Sequence, residues 1–142
     1  MFIKINIMDL EKDIFNPVAA RIRQRADSLI NIKRFPGTGI EGWLKVEVVA
    51  VLGQRVRRLQ NKGPDLLLDD YTEIEIKAAT DFNKVYFFDP IRKYGCPCLF
   101  LGDGKNPKLL TEDVSEEFEL VAYEIISDGV NNWMLGLVKP KL

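Results

Sequence analysis

Hydrophobic positions change period several times along the chain, and each change marks an element. Asn16-Pro17 reads as an N-cap and first helical position, and VAARIRQRADSLINI continues with helix formers up to the break at Phe35-Pro36-Gly37. A second helix is predicted from Ile40 to Leu52, where Ile40, Trp43, Leu44, Val48 and Val51 recur at helical spacing and Gly53 is the stop. The period then shortens. Arg55 to Leu59 reads as a strand, Asn61-Lys62-Gly63 as a turn, Leu66 to Leu68 as a second strand, and Thr72 to Ala78 as a third with clean alternation. Asp89-Pro90 resembles a further cap, which predicts a short helix from Pro90 to Tyr94 ended by Gly95. Cys96 to Leu101 is continuously apolar and reads as a buried strand. Glu119 to Ser127 and Trp133 to Val138 complete the chain as a hairpin, joined through Asp128-Gly129 and two asparagines.

Parity makes a sharper prediction for the second and third strands. If Asp69, Asp70 and Tyr71 form a three-residue loop, Leu68 pairs with Thr72 and Asp65 lies opposite Glu75. One face then carries Leu66, Leu68, Ile74 and Ile76, and the other carries Asp65, Glu73, Glu75 and Lys77. A two-residue loop would put Asp65 among the isoleucines, and Asp-Asp without glycine is a poor type I′ turn.

The helix, three strands, helix, strand order, with Gly63-Pro64-Asp65 opening one strand and Glu75-Ile76-Lys77 closing the next, resembles the PD-(D/E)xK nuclease superfamily of restriction endonucleases and Holliday-junction resolvases. The resemblance covers about Ile40 to Leu101. It implies an α/β (α+β) fold with a restriction-endonuclease-like core: a mixed central sheet flanked by helices in the order αβββαβ, plus an extra N-terminal helix and a C-terminal hairpin. It also implies a Mg²⁺ (or Mn²⁺) site held by Asp65 and Glu75, with Ile76 as a further metal position and Lys77 orienting the attacking water or the phosphate. A third acid from the preceding helix is expected, either Glu47, which lies on the apolar stripe and is slightly favoured, or Glu41 on its border, nearer the start of the Asp65 strand. Glu73 shares the polar face and is read mainly as a surface charge.

Composition narrows the chemistry. The 142 residues, 46% hydrophobic and 29% charged, suit one domain spanning residues 1–142. Without any histidine, imidazole-based hydrolases and histidine-ligated zinc enzymes are excluded, whereas carboxylate, lysine and metal-assisted chemistry remain. Cys96 and Cys98 flank Pro97, a poor disulfide geometry and too few thiols for structural zinc, so a reduced, cytoplasmic protein is expected. The opening MFIKINIM is too short and interrupted for a signal h-region, and no run suits a membrane span.

Net charge is −1, but residues 17–62 carry ten basic side chains against three acids, and residues 111–128 carry seven acids and no base. Arg55, Arg57, Arg58 and Lys62 precede Asp65 and are the expected phosphate contacts for double-stranded or branched DNA. Double-strand cleavage by so small a chain requires a homodimer. Trp43, Trp133 and Tyr86-Phe87-Phe88 are expected in the core. Two alternatives stand beside the endonuclease: a nucleic-acid-binding or assembly protein that keeps the fold without cutting, and a structural subunit docking through its acidic segment.

Overall fold

The structure is a computed structural model that describes residues 8–107 and 117–141. The opening heptapeptide of the segment weighed as a signal sequence, and residues 111–116 of the acidic stretch, lie outside the described residues.

The chain is a mixed α+β domain built on one six-stranded sheet: β1 (Val56–Leu59), β2 (Leu66–Leu68), β3 (Glu73–Ala78), β4 (Cys98–Asp103), β5 (Phe118–Ser127) and β6 (Asn132–Pro140). Their spatial order is β1-β2-β3-β4-β6-β5, and every pair is antiparallel except β3 with β4. The C-terminal hairpin is therefore an integral extension of the sheet, because β6 pairs with β4 along the whole length of β4.

Helices cover both faces. On one lie α1 (Asn16–Gln24), α2 (Ser28–Arg34) and α3 (Ile40–Leu52), and on the other α4 (Lys84–Tyr94), which connects the parallel strands β3 and β4. Alternation along the strands feeds two cores. Ile74, Ile76, Leu99, Leu101, Leu135 and Leu137 face α1–α3, whereas Cys98, Phe100, Met134 and Val138 face Phe87, Phe88 and Ile91 of α4.

The second predicted helix keeps its predicted bounds, and the other two are corrected. Asn16 is no N-cap: its φ of −61° and ψ of −45° are helical, and its N–H donates to the Glu11 carbonyl. A π-helical stretch, Leu10–Phe15, precedes it and is capped by Asp9, whose carboxylate accepts from the Lys12 N–H at 2.8 Å. Pro17 cannot donate, and a shift of the ladder to longer spacing just before it accommodates the missing hydrogen bond. The single predicted helix is also divided at Arg25–Asp27, which re-aims Leu29 and Ile32 into the core.

The helix predicted at Pro90 starts six residues earlier. Asn83 is its cap, accepting from the Tyr86 N–H at 3.0 Å, and Pro90 lies inside α4. Burial of Phe87 and Phe88 against Phe100 outweighs the proline's cost to the ladder. Gly95 closes the helix in the left-handed region at φ 64°.

The β2–β3 turn has the predicted three-residue form. Leu68 N–H donates to Thr72 O at 2.8 Å, and Leu66 pairs with Ile74. Tyr71, its third residue, sits at φ 68°, the left-handed position such loops require. Asp70 holds the turn by accepting from the N–H groups of Thr72 and Met8 at 2.9 and 3.0 Å.

Candidate active site

The register places Asp65 opposite Glu75, because Leu66 pairs with Ile74 and Leu67 with Glu73. Leu66, Leu68, Ile74 and Ile76 are buried together toward α3, which leaves Glu73, Glu75 and Lys77 on the α4 face. Beyond this short pairing β2 and β3 separate. The Glu75 amide bonds to Pro97 O on the β4 side, so alternation turns the Ile76 amide and carbonyl toward the edge that β2 has left. That opening is where the polar groups gather.

Asp65 fills it from one side. Its Oδ2 accepts from the Ile76 N–H at 2.9 Å, and its Oδ1 lies 2.7 Å from Nζ of Lys45. The Glu75 carboxyl, only 4% exposed as a residue, also reaches the Ile76 N–H, at 3.2 Å. The two carboxyls thus meet at one N–H, and their titrations separate as those of close carboxylates must. Burial, reinforced by the neighbouring Asp65, pushes Glu75 up to about 8. Burial also works to raise Asp65, but hydrogen bonds from Glu75, Lys45 and the Ile76 amide outweigh it and hold this carboxyl below its ordinary value. Lys45 is held protonated above its usual range, first by its hydrogen bond to Asp65.

Glu41 closes the opening from α3. Its Oε1 accepts from the Ala78 N–H at 3.2 Å and from the Tyr86 hydroxyl at 2.6 Å. Tyr86 is thus part of the site, not of the core in which it was expected, and the Lys77 ammonium lies 4.7 Å from its ring centroid. A cleft of about 520 Å³ opens here, lined by Glu75, Lys77, Tyr86, Arg92 and Lys93.

The geometry also decides between the two helical acids. Glu47 is turned away toward α1, where its Oε2 lies 2.6 Å from Nε of Arg21 and 3.8 Å from Nε of Arg25. Its burial among apolar residues, which made it attractive as a ligand, is accounted for by this ion pair. Glu41 is the α3 acid that joins Asp65 and Glu75. Glu73 is held at its other end, accepting from Gln60 Nε2 at 3.1 Å.

Of the four basic residues expected at phosphates, Arg55 lies 3.9 Å from Asp13. Arg57 stacks on Tyr71 at 4.9 Å, Arg58 touches Gln60 at 3.4 Å, and Lys62 is exposed in the β1–β2 turn. Elsewhere in the basic stretch Arg21 and Arg25 are taken by Glu47, and Arg23 pairs with Glu124. The sequence reading missed two site residues. Lys45 was detectable one helical turn after Glu41; Tyr86 was not, since only folding brings it there.

Among the described residues no helix is long and apolar enough to cross a membrane, and no three acids form a ready-made cation cage. The chain matches no protein-family model, no curated protein and no solved structure.

Proposed function

We propose that this protein is a divalent-cation-dependent endonuclease with a restriction-endonuclease-like core, hydrolysing phosphodiester bonds in double-stranded or branched DNA. The observation that carries this reading is the convergence of Asp65 and Glu75 on the Ile76 N–H at the open edge of β3, with Lys77 two residues further on the same face. The α3-β1-β2-β3-α4-β4 order around that edge supports it.

The residues fit Mg²⁺ or Mn²⁺. Two carboxyls pressed together, one of them retaining its proton, form an oxygen donor set in which a hard cation can take that proton's place, and the Ile76 carbonyl faces the same opening. Asp65 and Glu75 would hold the ion, with Glu41 as the third acid. When bound, it would supply charge stabilisation at the scissile phosphate and lower the pKa of an attacking water.

The chain's own groups do the rest. Lys77 presents an ammonium to the cleft, where it holds a phosphate oxygen or orients the water. Tyr86 fixes Glu41 by its hydroxyl and packs its ring against the Lys77 head, setting both relative to β3. Arg57, Arg58 and Lys62 offer positive charge to the DNA backbone, and a homodimer would bring two sites to two strands.

Nicking of supercoiled and branched DNA in Mg²⁺ or Mn²⁺ tests the proposal. Asp65→Asn, Glu75→Gln and Lys77→Ala are each expected to lower the rate by at least about 100-fold while leaving the circular-dichroism spectrum unchanged. Full activity of Asp65→Asn would refute it. The ion pair between Lys45 and Asp65, which neutralises part of the site internally, favours the second reading, a nucleic-acid-binding protein that does not cut. DNA binding without cleavage in any divalent cation would select it.

A further inference from the structure

Both oxygens of Asp65 already have a hydrogen-bonding partner. Its Oδ2 is tied to the Ile76 amide, a backbone group that cannot leave, and its Oδ1 is tied to the Lys45 ammonium at 2.7 Å. A divalent cation bound to this carboxylate would come within a few ångströms of the Lys45 ammonium, and like charges that close repel, so Lys45 opposes the cation at Oδ1.

Lys45 is placed to yield it. It stands one turn after Glu41 on α3, so both side chains project toward the edge of β3. Glu41, Asp65 and Glu75 all bear on it, making the ammonium a counter-charge for the cluster. The side chain is 40% exposed, against 16% for that of Asp65. It borders a groove of about 370 Å³, lined also by Val46, Val49, Leu59 and Asn61, that gives the flexible four-carbon stem room to swing out.

We propose that Lys45 is a resident counter-ion that a divalent cation must displace, so that its exchange off Asp65 sets the cation concentration at which the site fills. This rests on the proposed metal site and adds to it a positioning residue that opposes loading. In the cation-free protein Lys45 holds Asp65 Oδ1; on loading it releases that oxygen and turns into the groove.

The test is Mn²⁺ binding to the full chain at fixed pH and ionic strength, followed by calorimetry and by the electron paramagnetic resonance signal of free Mn²⁺. Lys45→Met and Lys45→Gln remove the charge and should each tighten binding at least about tenfold. Lys45→Arg keeps the charge in a forked group that holds a carboxylate by two hydrogen bonds, and should weaken binding. This second type of variant decides the matter if the neutral ones do not fold. Asp65→Asn should abolish the tightening produced by Lys45→Met. Unchanged or weaker Mn²⁺ binding in Lys45→Met and Lys45→Gln overturns the exchange while leaving the metal site intact, as does tightening that survives Asp65→Asn. Absence of Mn²⁺ binding in wild type and all variants overturns the metal site and the exchange together.

Discussion

Glu75 sits in surroundings that disfavour its charged form. Burial and the adjacent Asp65 carry its carboxyl from an ordinary value of 4.5 up to about 8, so between these values the folded chain holds a proton that the unfolded chain releases. Its contribution to stability is thus fully present below about pH 4.5 and is lost as pH rises through about 8. In chelator-treated protein the melting temperature should carry a corresponding fall over this window. Glu75→Gln, which stays neutral throughout, should remove that part of the slope and melt several degrees above wild type at pH 8.5. A thermal-unfolding series in pH checks this, and parallel curves for the two proteins would contradict it.

Between elements, the tightest fit lies where β4 and β6 pair under α4. Phe100 is opposite Gly136, and a Cβ built on Gly136 overlaps the phenyl ring, which itself stacks on Phe87 with centroids 5.0 Å apart. The glycine makes room for an aromatic ring lying across the neighbouring strand, and the ring fills the space that a missing side chain leaves. Gly136→Ala must push Phe100 into Phe87, and overpacking of this kind costs about 1–3 kcal/mol. Denaturant unfolding should show that loss with an unchanged m-value. Combining it with Phe100→Leu should recover part of it, since the two positions are in contact and their effects are not additive.

For the whole molecule, the distribution of charge bears on the proposed contact with DNA. Much of the basic excess in residues 17–62 is consumed internally, by Glu47, Glu124, Asp65 and Asp13. Arg57, Arg58 and Lys62 remain exposed on β1 and its turn, with no carboxylate within 4 Å among the described residues. Each phosphate they contact should contribute about 0.9 to the slope of log K against log salt. Alanine at any one of the three should flatten that slope by about one unit and weaken binding to all duplexes alike, whereas Arg55→Ala should change it less. Fluorescence anisotropy with a labelled duplex in Ca²⁺ at several salt concentrations measures this. A slope unaffected by all three substitutions would place the DNA elsewhere.

What the sequence determined by itself is whatever depends on local period. Leu66, Leu68, Ile74 and Ile76 can reach the core only if their strands pair in one register, and that register puts Asp65 opposite Glu75 whatever else packs around them. The bounds of α3 follow in the same way from its apolar spacing and Gly53. Local signals were weaker guides where two of them competed: Asn16-Pro17 and Asp89-Pro90 both look like helix starts, yet both lie within longer helical runs capped at Asp9 and Asn83. Tertiary structure decided which acid of α3 joins the site. Glu47 lies on the apolar stripe and Glu41 on its border, and it is the docking of α1, which brings Arg21 and Arg25 to Glu47, that turns Glu47 from the site and leaves Glu41 in it. It decided the place of Tyr86 as well, because its partner Glu41 is 45 residues away, and such a contact exists only once β3, α4 and β4 have wound into their parallel crossover.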